Sequence, residues 1–192
     1  MKPKFQHVLI CLLALTLLTC PALAASSFPD VDENAEYAEA VEYLKDVGIM
    51  RGDDQGNFNP NKTVTRAEMA TIICNMLGET EDLTVSDAFS DVPTTFWANK
   101  YITRAKELGV ISGYGNKKFG PNDKVKYEQA VTMVVNALNY KNEANNAGGY
   151  PDGYLAIAQS LGLLNNVDAE KGMFLARSNV AIIIYNCFQS YV

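Results

Sequence analysis

Histidine is almost absent from this chain: of 192 residues only His7 is one, and it falls in an N-terminal stretch that reads as a leader. Without it, nucleophile pairs that need a His base and zinc sites built on imidazole are both excluded. Cysteine is nearly as scarce. Cys11 and Cys20 lie in the leader, which leaves Cys74 and Cys187. Two thiols with no C-x-x-C spacing make neither a zinc site nor a disulfide framework, and they read as small buried hydrophobes on helices. No acidic pair stands apart from the repeat pattern described below, so the two set carboxylates of a glycosidase are not suggested either. The expectation is a protein without catalysis, metal or cofactor.

Long apolar runs are missing as well. The one candidate, residues 8–18, is 11 residues long, well short of the roughly 20 needed to cross a bilayer as a helix. With Lys2 and Lys4 before it and Ala22-Leu23-Ala24 after it, this run is a secretory signal peptide over residues 1–24. The mature chain is expected to begin at Ala25. Thr19 and Pro21 around Cys20 suit lipid attachment poorly. The protein is therefore expected to be exported, with no transmembrane segment in its mature part. Loss of Lys2 and Lys4 leaves 14 basic against 22 acidic residues, and the formal charge moves from −6 to −8. That balance argues against nucleic acid as a partner. Any anion must be held by a local cluster of Arg, Lys and backbone donors.

What is present is a repeat. Phe28, Asp30, Val31, Gly48, Gly52, Phe58, Pro60 and Val64 recur as Phe89, Asp91, Val92, Gly109, Gly113, Phe119, Pro121 and Val125, each 61 residues on. One supersecondary unit has been duplicated, and neighbouring copies share a core. In the first copy Tyr37, Ala40, Val41, Leu44 and Val47 keep helical spacing before Gly48, a helix stop. Tyr101, Ile102, Ala105 and Leu108 before Gly109 repeat it. The loops 52–60 and 113–121 follow, each pinned by a Phe. Asp53 and Asp54 there belong to turn chemistry and lack the alternating ligands of a calcium loop.

A second helix begins at Thr65-Arg66-Ala67-Glu68, with the spacing of a capping box, and carries the stripe Met69, Ile72, Ile73, Met76, Leu77. The stripe returns at offset 61 and, as Val180, Ile183, Ile184, Cys187 and Phe188, at offset 111. A degenerate third copy is thereby located, with a short first helix over residues 154–161. The reading is an all-α chain of three helix-loop-helix units at 28–78, 89–140 and 150–192, one compact module over 28–192. Polar linkers are expected at 79–86 and 141–149.

Phe-x-Asp-Val, a helix ending in Gly-Ile/Val, Gly-x-x-x-Gly-x-Phe-x-Pro and Thr-Arg-Ala-Glu together resemble the S-layer homology repeat of bacterial surface proteins. The resemblance covers nearly all of the mature chain. It implies a pseudo-threefold module with a central helix bundle, located at the cell surface, cell wall or S-layer. It also implies grooves that bind an acidic secondary cell-wall polysaccharide, often bearing ketal-linked pyruvate, and contacts with surface-layer proteins. In the family the Arg of Thr-Arg-Ala-Glu faces the groove, which carries over to Arg66 and Arg177. The second copy has Lys126-Tyr127-Glu128-Gln129 there, so Tyr127 replaces the arginine. Lys126 would supply charge and Tyr127 would stack on a sugar. Two competent grooves at most are expected. The alternative is a surface scaffold that takes a protein partner in the same grooves.

The arginines also stand on physical grounds. A planar, permanently charged fork beside the free N–H groups of a helix start suits a carboxylate better than Lys would. The plainer alternative pairs Arg66 with Asp30 or Asp91 as a tie between repeats. Trp97 reads first as core packing, with an exposed edge able to stack on sugar. Asp30 and Asp91 read first as ties of the incoming chain, with sugar hydroxyls as the sharper alternative. Gly52 and Gly113 complete the candidate binding set.

Overall fold

The computed structural model describes residues 26–189, so the leader, its cleavage and Cys20 lie outside the described residues. Seven helices are present there: α1 Ala38–Asp46, α2 Arg66–Met76, α3 Asn99–Glu107, α4 Tyr127–Ala137, α5 Lys141–Asn146, α6 Asp152–Ser160 and α7 Arg177–Gln189. The described chain is all-α, with backbone bridges but no strand.

The stops of α1, α3 and α6 share one cause. Gly48, Gly109 and Gly162 adopt φ of 76°, 72° and 72°, a left-handed turn that only glycine enters without penalty. The next amide then reaches back five residues, Ile49 N–H to Leu44 O, Val110 to Ala105 and Leu163 to Ala158. This turns each chain into the core, where Ile49, Val110 and Leu163 are buried. At the start of α2, Thr65 Oγ1 accepts from Glu68 N–H while the Glu68 carboxylate accepts from Thr65 N–H at 2.8 Å. In α4 the Gln129 side chain returns half of that arrangement to Lys126 N–H, because a lysine has no acceptor to give.

The three copies close on one another through a ring of backbone bonds. Val64 N–H donates to Leu175 O, Leu175 N–H to Val125 O, and Val125 N–H to Val64 O, at 2.9–3.1 Å. All three side chains are fully buried, so the ring satisfies polar backbone where water is absent. From it α2, α4 and α7 set out together as the central bundle. Their outer partners come from the next copy: α2 packs on α3, α4 on α6, and α7 on α1. A repeat in sequence is therefore not the packing unit, and each of these three helix pairs spans two copies.

Two expectations need correction. The stretch 141–149 is no plain linker, since α5 forms there and packs on α6 through Ala144, which is buried. Gly153 allows that approach, because any Cβ would collide with Ala144 O. The third copy's first helix also starts earlier, at Asp152. The stretch 79–86 stays irregular but is tied down. Buried Asn99 holds Ser86 and Val92 by its amide, and Arg104 pairs with Glu79 at 2.9 Å. Cys74 and Cys187 are free and buried in different helices, and burial pushes both thiols up to about 12.

Candidate functional site

The extended backbone at Thr65 and the bond from Arg66 N–H to Asp123 O aim the Arg66 side chain across the seam into the second copy. There its Nε donates to Phe119 O and its Nη2 to Ser112 O, both at 2.9 Å. The guanidinium lies 4.6 Å from the Phe119 ring centre and 4.5 Å from that of Tyr114. Arg177 repeats the arrangement one seam round. Its N–H donates to Lys62 O, its Nη2 to Arg51 O at 2.6 Å, and it lies 4.7 Å from the Phe58 ring. Arg51 and Ser112, like Phe58 and Phe119, are 61 residues apart, so the two sites are copies in space as well as in sequence.

Among the described residues no carboxylate forms an ion pair with Arg66 or Arg177. The tie to Asp30 or Asp91 is not made, because those side chains are spent elsewhere. Asp30 accepts from Phe58 and Asn59 N–H, and Asp91 from Phe119 and Gly120 N–H, at 2.7–2.9 Å. Burial alone would raise the Asp91 carboxyl, but those two amides hold it below the usual range. Both aspartates thereby shape the loop under the arginine. Burial lowers both guanidinium groups from their ordinary value. A cation stacked on aromatic rings, fixed along one edge by carbonyls and, among the described residues, with no carboxylate at ion-pair distance, suits a carboxylate ligand.

Each arginine opens on a groove whose walls come from all three copies. The Arg177 groove, about 870 Å³, has Arg51 and Gly52 at its base, Glu68, Thr71 and Asn75 along α2, and Trp97 from the second copy. The Arg66 groove, about 200 Å³, has Ser112 and Gly113, then Gln129, Thr132 and Asn136 along α4, and Tyr150 from the third copy. Trp97 is corrected: it is 56% exposed and walls the groove instead of filling the core. Gly52 and Gly113 sit at the bases for steric reasons, because the edges of Phe28 and Phe89 occupy the space a Cβ would need.

Tyr150 and the helix asparagines escaped the sequence reading. Tyr150 precedes α6 by the same two residues as Trp97 precedes α3, and it is 57% exposed; the altered spacing of the third copy hid it. Asn75, Asn136 and Asn186 donate through Nδ2 to Ile49, Val110 and Leu163 O in turn. They tie the buried plug to the bundle helix in every copy. Their recurrence at offsets 61 and 111 was a readable signal. Asn136 Oδ1 is buried and unpaired within the Arg66 groove.

The third seam departs from the other two. Tyr127 enters it in place of an arginine and is buried at 7% exposure, and burial raises its phenol. Its stacking role on a sugar is corrected, since little of the ring is reachable. Glu36 stands where Trp97 does relative to the helix start, and Ile182 stands where Thr71 does. The charge of Lys126 is also on another side, in a hollow that shares Tyr114 and Gln129 with the Arg66 groove.

Comparison with known proteins matches the S-layer homology domain at residues 27–70 and 88–131. The chain is similar to a cell surface protein of Thermoanaerobacter kivui, 38% identical over 166 residues, covering 84% of this chain and 21% of that protein. It is also similar to the middle cell wall protein of Brevibacillus brevis, 29% identical, covering 87% of this chain and 16% of that one. A surface-layer 125 kDa protein of Lysinibacillus sphaericus is 32% identical, with 78% and 13% covered. The chain thus spans about a fifth or less of the length of these relatives.

Proposed function

Residues 27–70 and 88–131 are S-layer homology domains, and from that premise we propose that this module attaches the protein carrying it to the bacterial cell envelope. It does so without covalent chemistry, by holding an acidic, pyruvylated secondary cell-wall polysaccharide in the Arg177 and Arg66 grooves. The observation that carries the reading is the pair of arginines. Both are docked on carbonyls at repeat-equivalent positions, neither forms an ion pair with a carboxylate among the described residues, and each opens on a groove walled by an aromatic more than half exposed. A pyruvate carboxylate supplies the missing counter-charge, while Trp97 or Tyr150 offers a flat face to the sugar ring. Attachment of this kind asks for no nucleophile or general base. The third seam, with buried Tyr127, does not take part.

The test is retention of the mature protein on purified walls before and after the acidic polysaccharide is stripped. Retention should vanish with stripping. Trp97→Ala and Tyr150→Ala should each weaken retention while leaving the melting temperature in place, because neither ring supports the core. Binding that survives stripping would sink the polysaccharide reading and favour a protein partner in the grooves.

A further inference from the structure

The second copy has no arginine at its helix start, yet it carries two lysines just before it, Lys124 and Lys126, where the first copy has Thr63 and Thr65. The same positions in the third copy are Phe174 and Ala176. Backbone bridges put these residues side by side, Lys124 against Thr65 and Lys126 against Phe174. They line a hollow of about 450 Å³ with Tyr114, Gln129 and Asp123. Among the described residues neither lysine is in an ion pair, and the Lys124 ammonium lies 5.8 Å from the ring centre of Phe174, itself 53% exposed. Asp123 is the one carboxylate lining the hollow, against two cations.

Tyr114 and Gln129 wall this hollow and the Arg66 groove alike. We infer that the Arg66 groove continues into a dibasic subsite, in which Lys124 and Lys126 hold a second anionic group of the same glycan chain. This rests on the polysaccharide reading above and adds to it a preference for a glycan with a carboxylate or phosphate on the residue next to the one gripped by Arg66. The exposed faces of Phe174 and Tyr114 supply apolar walls for the intervening sugar. At the equivalent positions of the first copy, which walls the Arg177 groove, stand the uncharged Thr63 and Thr65.

The test compares the mature protein with its Lys124→Thr/Lys126→Thr variant, which installs residues the first copy already tolerates. Two probes are titrated: a pyruvylated monosaccharide and the purified acidic wall polysaccharide. The variant should lose roughly three- to tenfold in affinity for the polymer at low salt, with a shallower salt dependence, and nothing for the monosaccharide. Polymer stripped of ketal pyruvate by mild acid, or of phosphate by a phosphatase, identifies which anion the lysines meet. The difference between wild type and variant should disappear with one treatment. Equal polymer affinity, an equal loss on both probes, or a difference untouched by either treatment would overturn the subsite. A Lys124→Gln/Lys126→Gln variant serves if the threonines lower the melting temperature. Failure of the wild type to bind either probe would instead remove the function proposed above.

Discussion

The Arg177 and Arg66 grooves are built on one frame and filled differently. Both have the arginine docked on carbonyls, the Asp-tied loop beneath it, a threonine and an asparagine along the bundle helix, and an exposed aromatic from the third contributing copy. The Arg177 groove is roomier but contains Glu68, whose charge acts on Arg177 and whose carboxylate is held by Lys62 at 2.9 Å. The Arg66 groove is narrow, has neutral Gln129 at that place, and buries its arginine to 6% exposure. Backbone ties set where a cation stands, while single side chains around it set how much of its charge a ligand meets. The first belongs to the fold and is repeated; the second is free to differ.

The comparison holds only if both grooves belong to one cooperative unit. Ile73 and Val134 are equivalent, fully buried residues of the central bundle. Ile73→Asp should cost several kcal/mol, because an unpaired charge is not tolerated there, and should abolish both grooves together. Calorimetry should show one transition in the wild type; separate transitions for the copies would break the shared frame.

A smaller contrast follows from the arginines. Arg66 makes two bonds to carbonyls and Arg177 one, and each such charge-assisted bond is worth about 1.5–3 kcal/mol when its partner is left unsatisfied. Arg66→Ala should therefore lower the melting temperature more than Arg177→Ala, while both weaken wall binding roughly tenfold or more. Equal melting with unequal binding would sharpen the view that the ligand reads the grooves differently. Binding lost only in proportion to stability would return both arginines to a purely structural role.

The fold was legible where physical chemistry repeats itself along the chain. Three glycine stops, a capping box and an apolar stripe at offsets 61 and 111 give the helices and their bounds within a residue or two. The exchange of helix partners between copies was not legible, because a stripe reports that a face is buried and not against whom. Arg66 and Arg177 were singled out by their motif, but their docking on Ser112, Phe119 and Arg51 carbonyls was not legible, since carbonyls leave no mark in sequence. Trp97 was read first as core packing because of its size, with sugar stacking by an exposed edge as its second role, and α5 was missed because its six residues are nearly all polar. That Lys126 lines a hollow sharing Tyr114 and Gln129 with the Arg66 groove was not legible either, because residue numbers do not say which groove a side chain borders.

The smallest expected effect isolates the side-chain difference itself. Burial alone would raise the Glu68 carboxyl, but the Thr65 amide and Lys62 hold it below the usual range. A carboxyl whose folded value is depressed contributes stability that is complete above its unfolded value and is lost as pH falls through the folded one. The stability Glu68 contributes is fully present at neutral pH and is lost there in Glu68→Gln, but the loss should be small, because an amide can serve this helix start as Gln129 serves the equivalent one at Lys126. The exposed Lys62 partner is worth under about 1 kcal/mol. Below about pH 4 the variant should lose less stability on acidification than the wild type, with Asp91, Glu42 and Asp53 still contributing acid sensitivity. In the Arg177 groove the same change removes the opposing charge, so affinity for the acidic polysaccharide should rise about two- to threefold at low salt and the gain should fade as salt screens it. Gln129→Glu should do the reverse in the Arg66 groove. Titrations at two salt concentrations with each variant, and with both together, decide the matter. If the exchange leaves both affinities unchanged, position 68 and its counterpart are helix caps only, and the two grooves differ in size and not in charge.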